Sequence, residues 1–146
     1  MAGNKTILLA EDNQDDMFLV QAALASVQVR HPLQVVGNGQ EAIRYLKGEG
    51  QYADRTVYPF PFLLLLDLKL PIQDGFAVLK WLQAQPQIRR QLTVVVLTGT
   101  ENDESMERAR ELGPDAYYSK PLSFHELEEL VLELKRRWME PGNRHV

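Results

Sequence analysis

The feature that most constrains this chain is an apolar run that ends in one carboxylate. The residues from Phe62 to Leu66 are all apolar, and Asp67 follows them directly. A short continuous apolar run of this kind is typical of a strand buried on both faces of a parallel sheet. The run therefore predicts an inner strand that delivers Asp67 to its carboxyl end.

Three further predicted strands end in polar residues. Lys5 to Ala10 leads into Glu11 and Asp12, Thr93 to Leu97 leads into Thr98, and Ala116 to Ser119 leads into Lys120. The carboxyl ends of parallel strands share one edge, which is where open α/β sheets bind their ligands. We therefore expect three acids, a hydroxyl and an ammonium to meet in one crevice.

Apolar runs alternate with segments of helical periodicity, which predicts an α/β fold with a doubly wound, five-stranded parallel sheet and five helices. The remaining strand is Leu33 to Val36, and the helices are expected from about Gln14, from Gly39 to Lys47, from Gly75 to before Pro86, from Asp103 to Leu112, and from Ser123 to Trp138. The expected N-caps are Asn13 or Asp12, Asn38, and Ser123, which opens a Ser-x-x-Glu capping box with Glu126.

Composition excludes several classes of protein. With 146 residues, 45% of them hydrophobic, the chain is long enough for one domain with a substantial core. A net charge of −4 argues against nucleic-acid binding, and the absence of cysteine excludes thiol catalysis and cysteine-ligated zinc. The apolar runs are too short for a signal peptide or a membrane span. We expect a soluble, cytoplasmic protein.

The predicted crevice suits phosphoryl chemistry. Taken singly, each of its residues is more typical of a turn or a helix cap than of a reactive group. Together, Glu11, Asp12 and Asp67 would repel one another unless a cation such as Mg²⁺, which prefers hard oxygen ligands, lay between them. Asp67 could then act as a nucleophile and form an acyl phosphate. Lys120 and Thr98 would offset charge on the phosphoryl oxygens.

With Glu11-Asp12, Asp67 followed by Pro71 and Gly75, Thr98, and Lys120-Pro121, the chain resembles the receiver domains of bacterial two-component response regulators over about residues 5–138. The resemblance implies a flavodoxin-like receiver fold with strand order 2-1-3-4-5. A receiver is a phosphoacceptor switch that accepts a phosphoryl group from a sensor histidine kinase and acts on no small-molecule substrate.

The resemblance also implies a role for each motif residue. Asp67 would be the phosphoacceptor, Thr98 and Lys120 would contact the phosphate, and Tyr117 would be the aromatic switch residue. Asp12, Asp67 and the main-chain carbonyl of Lys69 would bind Mg²⁺, and Glu11 would assist through water. The Lys120–Pro121 peptide bond would be cis.

The loop between the second helix and the third strand, from Gly48 to Pro61, is longer than usual and contains Tyr52, Tyr58 and Phe60. We interpret it as a surface loop that packs on itself, with a partner contact as the alternative. Together with the Glu11-Asp12-Asn13 start and the long last helix, this loop is similar to that of the single-domain regulators that partner bacterial and cyanobacterial phytochromes. The expected organisation is a receiver domain over 5–140 and a tail over 141–146, with no output domain.

Two other functions remain as alternatives. An Mg²⁺-dependent phosphohydrolase with an aspartate nucleophile usually has a second acid two residues later, where this chain has Lys69. A flavodoxin-like cofactor binder would have a Ser/Thr/Gly-rich loop where this chain has Glu11 and Asp12. Both are therefore disfavoured.

Several remaining polar residues are interpreted as structural. Asp15 and Asp16 could add metal ligands, but acids in the first turn of a helix are favoured by its dipole in any case. His31, His125 and His145 have no metal-ligand spacing and are expected at the surface.

Leu132 and Met139 lie seven residues apart, outside the apolar stripe of the last helix. They support the homodimer contact that the resemblance implies, through the face formed by the fourth predicted helix, the fifth strand and the last helix. The alternative is a monomer that meets only its kinase.

Overall fold

Five parallel strands form one sheet at the centre of the structure, a computed structural model that describes residues 5–99 and 103–139. The strands are β1 (Thr6–Ala10), β2 (Leu33–Val36), β3 (Pro61–Leu66), β4 (Thr93–Thr98) and β5 (Ala116–Ser119). Their order is β2-β1-β3-β4-β5, and every neighbouring pair is parallel. The predicted fold class and strand order are confirmed.

Six α-helices accompany the strands within the described residues, one more than the sequence predicted. They are α1 (Gln14–Ser26), α2 (Gly39–Lys47), α3 (Gly75–Gln83), α4 (Pro86–Arg90), α5 (Asp103–Glu111) and α6 (Phe124–Leu134). None of these helices combines the length and apolar character needed to cross a membrane.

The short helix α4 was missed because Pro86 was interpreted only as a stop for α3. Proline also fits the first position of a helix, where its fixed φ is already helical and its missing N–H is not needed. The side chain of Arg89 fixes α4 by donating to the carbonyl oxygens of Leu92 at 2.7 Å and Gly113 at 2.9 Å.

The predicted N-caps form as expected. In each, a side-chain oxygen accepts a main-chain N–H three residues later: Asn13 from Asp16, Asn38 from Glu41, and Ser123 from Glu126. The capping box differs in one detail, because the Glu126 carboxylate accepts from the N–H of Leu122 at 3.1 Å. Leu122 precedes the Ser123 cap, so this bond extends the ordered entry into α6 by one residue.

Alternate residues of the inner strands supply two separate cores. Leu64 and Leu66 pack on the face covered by α2, α3 and α5, while Leu63 and Leu65 pack on the face covered by α1 and α6. All four side chains are essentially inaccessible to solvent. The apolar run before Asp67 is continuous because both of its faces are buried.

The last helix changes its periodicity after Leu134. Residues Lys135–Met139 form a π-helical turn, which has more residues per turn than an α-helix. Leu132 remains exposed, but Met139 packs against the core on the α1 and α6 side. The prediction of two exposed apolar residues on one line was therefore wrong for Met139, because seven residues no longer return to the same side of the helix.

The loop before β3 packs on itself and on α2, as predicted. The rings of Tyr45, Tyr52 and Tyr58 contact one another, with centroids 5.0 to 5.9 Å apart. Arg55 donates to the carbonyl oxygens of Leu46 and Tyr58, which ties the loop to the end of α2. The predicted tail over 141–146 and His145 lie outside the described residues.

Gly75 is expected to be essential for the approach of α3 to the sheet edge. A Cβ atom there would lie 2.5 Å from the carbonyl oxygen of Asp67 and 2.7 Å from the Cα of Leu68. Gly75→Ala should therefore lower the free energy of unfolding by roughly 1–3 kcal/mol, measured by urea denaturation. Gly37→Ala is the matched control, since nothing lies within 4 Å of its Cβ position. Equal effects at the two glycines would contradict this packing.

Candidate functional site

The ends of four strands meet at one edge of the sheet, as the sequence predicted. Main-chain hydrogen bonds that extend the strand pairing fix the residues there. The N–H of Asp67 donates to the carbonyl oxygen of Ala10 at 3.2 Å, and the N–H of Lys120 donates to that of Thr98 at 2.7 Å. The backbone therefore holds Asp67 and Lys120 at the ends of β3 and β5 independently of their side chains.

The Lys120 ammonium is the centre of the site. Its Nζ atom lies 2.9 Å from Glu11 Oε1, 2.9 Å from Asp67 Oδ2 and 2.9 Å from Asp16 Oδ2. Three carboxylates from separate parts of the chain thus share one cation. Hydrogen bonds between charged groups of this kind are shorter and stronger than neutral ones.

The main chain binds the other oxygens of the two buried acids. Asp67 Oδ1 accepts from the N–H of Lys69 at 3.0 Å, and Glu11 Oε2 accepts from the N–H of Asn13 at 3.1 Å. The sequence assigned the Lys69 carbonyl to a metal, and that role remains a prediction. The structure adds a role for the Lys69 amide, which fixes the orientation of the Asp67 carboxylate.

Burial and charge act on the site in opposite directions. Burial raises the pKa of Glu11 above its usual value, and the hydrogen bonds from Lys120 and Asn13 only partly offset that effect. For Lys120, burial acts to lower the pKa, but the hydrogen bonds to Glu11, Asp16 and Asp67 raise it above the ordinary lysine value. The ammonium therefore stays protonated and neutralises a region that is rich in carboxylates.

Three acids have the arrangement that a divalent cation requires. Glu11, Asp12 and Asp67 each offer a carboxylate oxygen, and these oxygens lie within 4.8 Å of one another. Glu11 and Asp67 are buried and Asp12 is exposed, so the group opens to solvent on one side. Hard oxygen donors that leave room for water match the preference of Mg²⁺. The residues present therefore fit a metal of this class.

Asp16 is a site residue that the sequence analysis missed. It was assigned to the helix dipole, yet its carboxylate also binds Lys120. The available signal was its position: Asp16 lies in the first turn of α1, which begins at the same sheet edge as Glu11 and Asp12. The side chain of Asp15 in the same turn is exposed and makes no hydrogen bond or ion pair in the described part of the chain.

Thr98 and Tyr117 lie on neighbouring strands behind the acids. Thr98 ends β4 and is fully buried. The Tyr117 ring on β5 packs partly against the core, and its hydroxyl is buried without a hydrogen-bond partner among residues 5–99 and 103–139. Burial also raises the pKa of Tyr117. A buried polar atom without a partner is costly, so this hydroxyl lowers the stability of the Tyr117 position seen here.

The expected cis bond between Lys120 and Pro121 is wrong, because no peptide bond in the described residues is cis. The trans isomer of an X-Pro bond is favoured by about 0.5–1 kcal/mol in the absence of other constraints. With the trans bond, Lys120 makes all the contacts described above.

A groove between α1 and the start of α6 adjoins Lys120. No sequence pattern described above indicates this groove. Asp16, Leu19, Leu122 and Phe124 are among its lining residues. Leu122 is 95% exposed, and Leu19 on α1 is 40% exposed. The charged centre is thus bordered by accessible apolar side chains.

Comparisons with known proteins agree with this geometry. The family model described as the response regulator receiver domain matches residues 7–132. The chain is 35% identical over 136 residues to the response regulator Rcp1 of a Synechocystis strain, which covers 93% of this chain and 90% of the relative. The chain therefore belongs to the response regulator receiver family.

Solved structures extend the similarity to three dimensions. The phosphorylated cyanobacterial phytochrome response regulator RcpA has a TM-score of 0.85 and 36% identity, covering 94% of this chain and 96% of its own. The Mn²⁺-bound form of Rcp1 has a TM-score of 0.82 and 34% identity, covering 93% of this chain and 95% of its own.

The acidic cluster predicts opposite effects of Asp12→Asn with and without metal. Without metal, the substitution removes a negative charge from a repelling group and should raise the melting temperature slightly. With Mg²⁺ at about 100 times its dissociation constant, the wild type should gain about 2.7 kcal/mol, most of which Asp12→Asn should lose. Thermal unfolding with and without Mg²⁺ measures both effects.

The control for this experiment is Asp15→Asn, which removes the same charge outside the cluster. It should keep the gain in stability on adding Mg²⁺. If both variants respond to Mg²⁺ as the wild type does, the cluster is not the metal site.

Proposed function

We propose that this protein is a two-component response regulator that accepts a phosphoryl group from a histidine kinase on Asp67, with Mg²⁺ as cofactor. One observation carries this proposal: Lys120 binds Asp67 and Glu11 at 2.9 Å, and these two acids form with Asp12 a cluster that fits a divalent cation. A nucleophilic carboxylate, a fixed cation and a metal-binding group are the components of a phosphoryl-transfer site.

The proposed reaction transfers a phosphoryl group to a carboxylate oxygen of Asp67. As that oxygen bonds to phosphorus, the bond between phosphorus and the donor atom breaks and its electron pair leaves with the donor. The donor atom is an imidazole nitrogen of the kinase, or an acetate oxygen when acetyl phosphate is the donor. Bound Mg²⁺ would supply positive charge for the phosphoryl oxygens.

The residues around Asp67 have separate tasks in this mechanism. The main-chain N–H of Lys69 donates to Asp67 Oδ1, and this hydrogen bond fixes the orientation of the carboxylate before the donor arrives. Lys120 would exchange its bond with Asp67 for one with a phosphoryl oxygen, and the Thr98 hydroxyl would donate to another. Preorganised donors of this kind favour the transition state because they need little rearrangement.

The phosphorylated state would be transmitted through Thr98 and Tyr117. The new group carries roughly −1.5 to −2 charges at neutral pH and attracts hydrogen-bond donors. Movement of Thr98 toward it would open space for the Tyr117 ring. The buried, unpartnered hydroxyl of Tyr117, as found among the described residues, supports such a move because a new position could satisfy it.

A phosphohydrolase is less well supported than a switch. Such an enzyme would need an acid at the position of Lys69 to protonate the leaving group. Lys69 instead has an exposed side chain and contributes its main-chain N–H to Asp67. The geometry near Asp67 thus favours acceptance of the phosphoryl group over turnover of a small substrate.

The kinase partner is proposed to be a phytochrome. The support is the similarity to RcpA, which is a cyanobacterial phytochrome response regulator, together with a match along nearly the whole of both chains. The exposed apolar residues Leu19 and Leu122, which line the groove next to Lys120, further favour a protein as phosphodonor.

Incubation with acetyl phosphate and Mg²⁺ should phosphorylate the wild type, because a small donor would approach the buried Asp67 from the side of the exposed Asp12 without needing a kinase contact. Asp67→Asn should abolish the modification, and so should chelation of Mg²⁺. Separation of modified and unmodified protein on a phosphate-affinity gel measures the fraction. Modification of Asp67→Asn at the rate of the wild type would refute the assignment.

We also propose that the protein forms a homodimer through the face made by α5, β5 and α6. Leu132 supports this proposal because its side chain is 37% exposed. Met139 does not support it, because it packs against the core. A two-fold interface uses the same surface on both copies, so one substitution acts twice.

Leu132→Glu should therefore shift the dimer toward monomer in sedimentation velocity across a concentration series, with and without phosphorylation. Val57→Glu is the matched control, because Val57 is also exposed but lies in the loop before β3, outside α5, β5 and α6. A wild type that remains monomeric in both states would contradict the proposal.

A further inference from the structure

Asp16 is the third acceptor of the Lys120 ammonium, and the mechanism above does not use it. A lysine ammonium has three N–H donors, and the three carboxylates at 2.9 Å engage all of them. Asp16 differs from the other two acceptors in its surroundings. Asp16 does not belong to the cluster of three acids that fits a cation, Glu11, Asp12 and Asp67.

The other two acceptors would change their roles during phosphoryl transfer. Asp67 would become part of the acyl phosphate, and the oxygen that bonds to phosphorus would lose its negative charge. Glu11 belongs to the group that fits the cation, so its charge would be shared with the metal. Of the three acceptors, Asp16 alone would keep its full charge for Lys120 throughout the reaction.

Asp16 is also well placed to act as a fixed point. It lies in the first turn of α1, where its own N–H donates to the Asn13 cap at 2.9 Å. Lys120, by contrast, carries its charge on a flexible four-carbon chain that needs restraint to hold one position.

From this geometry we infer that Asp16 is a positioning residue for phosphoryl transfer, holding the Lys120 ammonium from the α1 side so that one N–H is directed at the Asp67 carboxylate, where it meets Oδ2. The inference rests on the proposed function of Asp67 and adds a role for α1. The ammonium would then need little reorientation when a phosphoryl group arrives, which lowers the barrier to transfer.

The experiment compares initial rates of Asp67 phosphorylation by acetyl phosphate at saturating Mg²⁺. Asp16→Asn keeps the size and shape of the side chain but removes its charge, and should slow phosphorylation by roughly three- to tenfold. Asp15→Asn removes the same charge from the same helical turn without touching Lys120, and should leave the rate close to that of the wild type. Both substitutions weaken the interaction with the helix dipole, and Asp16→Asn also removes the ion pair with Lys120, so it should lower the melting temperature somewhat more than Asp15→Asn.

A second background tests whether Asp16 acts through Lys120. In Lys120→Met, the further change Asp16→Asn should cause no additional loss of rate, because no ammonium remains to be positioned. A ¹⁵N NMR measurement of the Lys120 ammonium provides an independent readout that does not require transfer. Its protons should exchange with water faster in Asp16→Asn than in Asp15→Asn.

Two results would overturn the inference: equal rates for Asp16→Asn and Asp15→Asn, or an equal loss from Asp16→Asn with and without Lys120. Failure of the proposed function would give different results: the wild type would not be phosphorylated, or Asp67→Asn would be phosphorylated.

Discussion

The Lys120 ammonium and the carboxylates of Glu11, Asp16 and Asp67 form the interaction on which the site depends. Burying Glu11 and Asp67 side by side would be unfavourable without a counter-charge, because burial and mutual repulsion both oppose ionisation. Lys120 supplies that charge from β5, while the acids come from β3, from the end of β1 and from α1. One cation therefore joins separate parts of the sheet edge.

This arrangement is possible because the sheet is rigid beneath it. Leu63 to Leu66 fill both cores, and main-chain hydrogen bonds continue to Asp67 and Lys120 at the strand ends. Backbone pairing and core packing thus set the positions of the Cα atoms of the charged residues, from which their side chains can contact one another. A site of this kind can hold its groups ready for a phosphoryl donor without a large conformational change.

Much of the fold and of the site could be predicted from the sequence because both depend on local patterns. The apolar run before Asp67 identified a strand buried on both faces, and the polar residues after four strands identified the edge where they meet. Asn13, Asn38 and Ser123 were recognisable as caps because their side chains bond to main-chain atoms nearby in sequence.

The features that escaped prediction depend on contacts between distant residues or on unusual backbone. Asp16 looked like a helix-dipole residue because its partner, Lys120, is 104 positions away. The side chain of Met139 was wrongly predicted to be exposed, because no local sequence pattern indicates the π-helical turn. Ile72, just beyond the site, has a φ of 68°, which β-branched residues rarely adopt, and no sequence rule pointed to it.

The central claim, that Asp67 carries the phosphoryl group, is tested most directly by mapping the modified residue. Reduction of the phosphorylated protein with borohydride converts an aspartyl phosphate to homoserine, which peptide mass spectrometry locates. Homoserine is expected at position 67 and at no other aspartate of the site. Homoserine at position 12 or 16, or 5-hydroxynorvaline (the alcohol that a glutamyl phosphate yields) at position 11, with Asp67 unchanged, would contradict the proposal.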